Sequence, residues 1–187
     1  MRGVLLLLLT LCIASLAQAA EPIILSTSPS GRLAVAIYSD PEFNDTKPGD
    51  DTTVYLIEAA TKKRIGPLEE VDADGGGFAK PSENVEPTWS KDSKFLTIYY
   101  RCGRHSYDSL LYRIEGRRAI PVHLPDPSTH PKGKLLKQNM ESSRSYSALS
   151  WRDEKTLVKS HSGSGYGDVE FIYKLRKDGT FVLDDIQ

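Results

Sequence analysis

The chain has 187 residues, with 24 basic and 25 acidic side chains and a formal net charge of −1. A near-neutral chain lacks the excess of positive charge that nucleic acids and anionic membranes attract, so we expect neither as a partner. The length suits one domain that is large enough to bury a core of its own.

The N-terminal segment is an apolar run of the kind that directs export. Arg2 precedes the run Val4–Leu16, and Ala17-Gln18-Ala19 supplies the small-x-small pattern that signal peptidase recognises. We therefore expect residues 1–20 to be a cleavable signal peptide and the protein to be periplasmic or secreted. One alternative is a membrane anchor, but the run of about 13 residues is short beside the roughly 20 that a spanning helix needs. The other is lipidation at Cys12, although the residues before this cysteine are not the small ones that lipidation requires.

The remainder of the chain, residues 21–187, is predicted to be a single β domain. No later apolar run reaches spanning length, so we expect no membrane span there. Cys102 is the only cysteine of this part, so no disulfide can form within it, although an exported protein could hold one. The fold must therefore depend on its apolar core.

Short β-like segments, separated by turn-forming residues, follow one another along this domain. Hydrophobic and charged residues alternate most clearly in the last segment, as they do in a half-buried strand. Glycine, proline and aspartate occur between the segments, as expected of turns. The best helix candidate, Lys134–Ser142, is short. The sequence therefore predicts an all-β, antiparallel domain. The strand-like segments are Leu33–Tyr38, Val54–Ile57, Phe95–Tyr100, Leu110–Ile114, Ala119–Val122 and Val169–Leu175.

A sequence pattern recurs three times within the domain. Ser30, Asp92 and Asp153 take equivalent places in it, 62 and 61 residues apart. Each copy leads into a strand, then a second strand with tyrosine and aliphatic residues, then a charged turn. This spacing predicts three blade-like units of three strands each, as in repeat proteins. The units are expected at about residues 24–86, 87–145 and 146–187.

The middle unit carries the most specific motif. Pro87 to Lys94 reads PTWSKDSK, a strand follows it, and Leu111-Tyr112 lies in the next strand. The stretch from Pro87 to Ile114 resembles the TolB-type periplasmic β-propeller repeat, a WD40-like repeat that runs roughly P-x-W-S-P-D-G-K. The resemblance implies blade-like sheets and a recognition scaffold. Propeller repeats recur about every 40 to 45 residues and close with about four to eight blades. We therefore expect a partial propeller-like arrangement or a sandwich.

Aromatic and basic side chains are densest in the middle unit. Tyrosine and arginine are favoured at protein interfaces, and they are also common on ordinary exposed sheet faces. We interpret the cluster as a binding surface for a protein, a peptide or an envelope component, which makes the chain a non-catalytic binding or scaffold protein. The candidate residues are Tyr99, Tyr100, Arg101, Arg104, Tyr107, Tyr112 and Arg113.

Two acidic segments suggest other functions. Asp72, Asp74 and Glu83 occupy the first, third and twelfth positions of a calcium-binding loop, which could bind calcium in a stabilised structural module. Gly76 at the fifth position and the interrupting Pro81 depart from that pattern. Carboxylates of the second segment, Asp40–Asp51, could act with those of the first in a small secreted hydrolase or sugar-active protein.

Other reactive side chains do not form a catalytic motif. The Gly-Ser segment Ser160–Asp168 lacks the lysine of a phosphate-binding loop and the central serine of a nucleophile elbow. Cys102 is three residues from His105, but closeness in sequence does not establish the base within hydrogen-bond reach, or the group that orients this base, that a cysteine nucleophile needs. The four histidines do not have the spacing of a zinc site. We therefore predict no catalytic residue and no cofactor other than calcium.

Overall fold

The computed structural model describes residues 21–38, 53–71, 81–103, 105–133, 145–163 and 167–187. Two short helices lie in these ranges: α1 is Pro81–Asn84 and a 3-10 turn is Pro127–Thr129. The helix expected at Lys134–Ser142 lies outside the described residues. Among the described residues, no helix combines the length and the apolar character that crossing a bilayer requires.

Twelve β-strands make up nearly all the regular structure of the described residues. The domain is therefore all-β, as the sequence predicts. The strands are Pro22–Thr27 (β1), Leu33–Tyr38 (β2), Val54–Glu58 (β3), Arg64–Pro67 (β4), Val85–Trp89 (β5), Phe95–Gly103 (β6), Ser106–Glu115 (β7), Arg118–Pro121 (β8), Ser145–Asp153 (β9), Thr156–Gly163 (β10), Gly167–Leu175 (β11) and Phe181–Ile186 (β12).

The strands form two sheets. The first sheet has the order β1-β2-β3-β4, and the second, of eight strands, has the order β5-β6-β7-β9-β10-β11-β12 with β8 also paired to β7. Every pairing is antiparallel except that of β7 with β9, which is a parallel contact at Tyr107 and Tyr146. The described residues therefore form three consecutive antiparallel meanders: β1–β4, β5–β8 and β9–β12.

Each meander has four strands, one more than the sequence predicts. Among the strands that the sequence does not predict, β9 is long and lies inside the second sheet, whereas the others are short, lie at a sheet edge or carry residues that are poor in sheets. For example, β4 contains Gly66 and Pro67, and β5 contains Pro87. Such strands lack the alternation by which a strand is recognised, and proline is tolerated only at edges, irregularities and strand ends.

The repeated sequence pattern forms the same type of turn in the first two meanders. The Ser28 hydroxyl accepts a hydrogen bond from the Leu33 amide at 3.2 Å, and the Ser90 hydroxyl accepts one from the Phe95 amide at 2.9 Å. In both turns the serine amide also donates to the carbonyl of the same partner residue, at 2.9 Å. The serine side chain thus closes the turn that leads into the second strand of each meander.

The third copy of the pattern keeps the aspartate contact of the second. Asp92 Oδ1 accepts a hydrogen bond from the Lys94 amide at 3.1 Å, and Asp153 Oδ1 accepts one from the Lys155 amide at 2.8 Å. An aspartate that binds the backbone two residues ahead stabilises a tight turn. The sequence pattern therefore reflects a local turn requirement in all three meanders.

These three turns lie side by side in space. The Ser30 amide donates to the Ser93 hydroxyl at 3.0 Å, and Lys91 Nζ lies 3.3 Å from Glu154 Oε1. The strands β2, β4, β6, β8 and β10 start on the side of the sheets where these turns lie. Because neighbouring strands of each meander are antiparallel, these five strands all finish on the opposite side. That opposite side is where the candidate binding residues near the β6–β7 connection are found.

Two apolar cores hold the meanders together, one on each face of the middle meander. Along β6, Leu96, Ile98 and Tyr100 point into the first core, while Phe95 points into the second. The middle meander thus packs against the other two, one on each of its faces. The first core contains Leu33, Val35, Ile37, Val54, Leu56, Leu68, Val85, Leu96, Ile98, Tyr100 and Tyr112. The second core contains Phe95, Leu111, Leu149, Leu157, Val169, Phe171, Tyr173, Phe181 and Ile186.

The β7–β8 turn provides a test of the backbone geometry. Gly116 has a φ of 61°, and a Cβ built on it meets nothing within 4 Å. Gly116→Ala therefore adds left-handed strain without a clash, and we expect a loss of about 1–2 kcal/mol in the free energy of unfolding. The matched control is Gly66→Ala in β4, where a Cβ also meets nothing but φ is not positive; we expect a change within about 0.5 kcal/mol. Urea unfolding measures both, and equal losses would contradict the turn geometry.

Candidate functional site

Three tyrosines from adjacent strands stack in a row, which we call the tyrosine stack. The rings of Tyr99 in β6 and Tyr107 in β7 are 5.3 Å apart between centroids and 9° from parallel. The rings of Tyr107 and Tyr146 in β9 are 5.4 Å apart at 22°. The row crosses from the middle meander to the third, so both meanders contribute to one surface.

The strand register explains the stack. Tyr107 pairs with Arg101 and Tyr99 pairs with Ser109, so Tyr99 and Tyr107 are diagonal neighbours on the same face of the sheet. Aromatic side chains reach such diagonal neighbours. The parallel contact between β7 and β9 places Tyr146 directly beside Tyr107.

Arg101 adds a positive charge at the edge of the tyrosine stack. Its guanidinium carbon lies 5.9 Å from the centroid of the Tyr107 ring, within the range of a cation–π contact. Its Nε donates a hydrogen bond to the carbonyl of Gly103 at 3.0 Å, across the irregularity that ends β6. The arginine is therefore held in place by its own strand.

The stack is accessible from solvent. Tyr146 is 42% exposed, and Tyr99 and Tyr107 are partly exposed. Burial raises the pKa of Tyr99, and the neighbouring Tyr107 and Glu86 contribute in the same direction. The Tyr99 hydroxyl consequently stays protonated at neutral pH and can donate a hydrogen bond. The surface combines aromatic edges, hydroxyl groups and a guanidinium, which together suit recognition of a partner.

Of the residues predicted from sequence, the structure brings Tyr99, Arg101 and Tyr107 together and adds Tyr146. Nothing local in the sequence singles out Tyr146, because its place in the stack depends on the pairing of β7 with β9, 39 residues apart at that contact. Arg104 lies outside the described residues.

The two other predicted tyrosines face the first core. Tyr100 is 7% exposed and Tyr112 is 1% exposed, and they belong to the face of β6 and β7 opposite the tyrosine stack. The Tyr112 hydroxyl donates to the carbonyl of Glu69, and burial raises the pKa of Tyr112. These residues stabilise the packing of the middle meander on the first sheet, because successive residues of a strand point to opposite faces.

Arg113 also lies apart from the stack. It is six residues from Tyr107 on the same strand, which corresponds to roughly 20 Å along β7. Its guanidinium forms an ion pair with Glu115, with Nη2 and Oε1 2.7 Å apart. Arg113 therefore belongs to the opposite end of the sheet.

The acidic segments are only partly described. Glu83 lies in α1, whereas Asp72, Asp74 and the segment Asp40–Asp51 lie outside the described residues. In the ranges that the structure covers, no three or more His, Cys, Asp or Glu side chains come together as a metal site. The calcium and hydrolase hypotheses stay predictions.

Comparisons with known proteins find only distant structural similarity. No family model matches the sequence, and the comparison with curated proteins gives no match. A similar solved structure comes from a structural and mechanistic analysis of two prolyl endopeptidases, with 11% sequence identity and a TM-score of 0.44. The match covers 89% of this chain and 22% of that one. A similarity of this size carries no argument about activity.

Proposed function

We propose that the chain is an exported, non-catalytic binding protein of the bacterial envelope, and that a protein or peptide partner contacts the tyrosine stack. The observation that carries the proposal is the partly exposed row of Tyr99, Tyr107 and Tyr146, with Arg101 at its edge. The export signal expected at residues 1–20 accounts for the compartment.

The energetics of recognition support this proposal. Tyrosine and arginine supply a large share of the binding energy at interfaces. Tyrosine has few rotatable bonds, and rings that are already packed against one another lose little further freedom when a partner binds. The stack is also supported by two meanders, so it is held on strands rather than on a connecting segment.

We further propose that the middle meander is a TolB-type blade, which would place the chain among propeller-like recognition scaffolds. Its four-stranded antiparallel order and its turn at Ser90–Lys94 support this. In that turn the Ser90 hydroxyl donates to Asp92 Oδ1 at 2.8 Å, so the serine and aspartate of the motif are joined. A scaffold alone does not specify a ligand, and the partner is therefore assigned to the stack.

A capture experiment tests the binding surface. The exported protein, immobilised and incubated with envelope extract, is expected to retain a defined partner, and Tyr146→Ala is expected to weaken that partner's affinity by about tenfold or more, as loss of an interface tyrosine does. The matched control is Ile24→Ala, because Ile24 in β1 is 41% exposed and lies on the other sheet. The proposal fails if Tyr146→Ala retains the partner as well as the wild type does, or if both variants weaken it equally.

A further inference from the structure

The second sheet splits beside β7, and a cleft lies at the split. Since β6 pairs along the whole of one edge of β7, both β8 and β9 must use the other edge. β8 pairs with Tyr112–Glu115, while β9 meets the strand at Tyr107, so the two diverge between these points. The cleft has a volume of about 310 Å³, at the lower end of the size range of small-molecule sites.

The walls of the cleft are mainly apolar and come from three parts of the fold. Leu111 lies on β7, Val122 follows β8, and Leu149 and Phe171 belong to the third meander. Leu111, Leu149 and Phe171 are buried in the second core, so the apolar surface that a ligand can cover comes from the partly exposed Val122 and Leu124. A mostly apolar cleft with a few polar groups is the usual form of a ligand site.

Tyr173 holds one wall in place. Its hydroxyl donates to the carbonyl of Pro125 at 3.3 Å, which ties the segment after β8 to the third meander. Burial raises the pKa of Tyr173 to about 12, so the hydroxyl remains a donor over the physiological range. This contact fixes the wall of the cleft that the segment after β8 forms.

The polar side of the cleft carries a positive charge. Lys159 and His161 are two residues apart on β10, so they share one face of the strand, and both line the cleft and are half-buried. Burial lowers the pKa of His161 and the charge of Lys159 lowers it further, while the charge of Asp108 acts in the opposite direction. Lys159 is the cation of this pair at neutral pH, and within the described residues no carboxylate lies within ion-pair distance of it.

The remaining charged side chain of the cleft limits the negative charge that a ligand can carry. The exposed Glu70 lies in the connection after β4 and contributes a carboxylate to the lining. A ligand with several negative charges would be repelled there, whereas one with a single anionic group could place it at Lys159. At about 30 Å³ for each water-sized volume, the cleft has room for roughly ten non-hydrogen atoms.

We propose that this cleft binds a small monocarboxylate with an apolar body, whose carboxylate pairs with Lys159 and whose body packs against Val122 and Leu124. This site goes beyond the proposed partner surface and uses different side chains. It gives the chain a small-molecule specificity of its own.

Titration with octanoate, followed by amide NMR, tests the proposal. Octanoate has a single carboxylate and ten non-hydrogen atoms. We expect it to shift the amide signals of Val122 and Leu124 and to bind at least tenfold more tightly than octylamine, which carries the opposite charge. Absence of these shifts, or equal binding of the two probes, would overturn the proposal.

Substitutions then test whether Lys159 supplies the positive charge that pairs with the carboxylate of octanoate. Lys159→Gln is expected to weaken octanoate binding at least tenfold, whereas Lys159→Arg, which keeps the charge, is expected to restore it to within about threefold. The matched control is Lys155→Gln in the exposed β9–β10 turn, with an expected change below twofold. Unchanged octanoate affinity in Lys159→Gln would refute the assignment. Tyr146→Ala should leave octanoate binding intact, so failure of the partner surface and failure of the cleft are distinguishable.

Discussion

Phe95→Ala is expected to lower the free energy of unfolding by about 3–5 kcal/mol, the cost of removing a large buried aromatic side chain. Phe95 is 4% exposed, and its ring lies 5.7 Å from that of Trp151 and 5.4 Å from that of Phe181, between centroids. It is the residue through which β6 of the middle meander contacts the aromatic part of the third. Its loss therefore opens a cavity between two meanders.

Chemical denaturation, followed by tryptophan fluorescence, measures this effect, because Trp151 is a neighbour of the deleted ring. The matched control is Tyr146→Ala, which removes an aromatic side chain that is 42% exposed and is expected to cost about 1 kcal/mol or less. If Phe95→Ala changed the stability by no more than the control does, the second core could not be packed as described.

Ser109→Ala is expected to cost about 2–4 kcal/mol, a large effect for the loss of one oxygen atom. The Ser109 hydroxyl donates to the Ser147 carbonyl at 2.6 Å and accepts from the Leu149 amide at 3.2 Å, and both contacts are buried. Removing it leaves two buried backbone groups unsatisfied, and each costs roughly 1–3 kcal/mol. The hydroxyl supplements the sparse backbone pairing of β7 with β9.

Amide hydrogen exchange tests whether the loss of stability in Ser109→Ala is located on β9. We expect the Leu149 amide to exchange at least tenfold faster in Ser109→Ala, with a smaller change in the β2 amides of the first sheet. Ser150→Ala provides the control, since Ser150 is exposed on the same strand. Equal protection of Leu149 in the two variants would show that the hydroxyl does not join the meanders.

The parts of the fold that follow from local chemistry could be predicted from the sequence. Phe95–Tyr100 is a continuous β-rich segment after a turn motif, and it forms most of β6. The repeat at Ser90–Lys94 predicts a turn because serine and aspartate can satisfy nearby backbone groups. All-β architecture and antiparallel order follow from many such segments.

The candidate site could be predicted only in part, because it depends on long-range pairing. Both faces of the middle meander are covered, so alternation along β6 cannot tell which side is the more accessible. Tyr99 and Tyr100 are therefore equivalent in the sequence, although the first lies in the tyrosine stack and the second in the first core. The place of Tyr146 is set by the contact of β9 with β7, for which the sequence carries no local signal.

Site-specific photo-crosslinking in cells that produce the protein tests the proposed recognition surface most directly. A photoreactive phenylalanine analogue would replace Tyr146 in one variant and Ile24 in another, two positions of similar exposure on different sheets. We expect a discrete covalent adduct from position 146 and none from position 24. No adduct from position 146, or the same adduct from both positions, would contradict partner binding at the tyrosine stack.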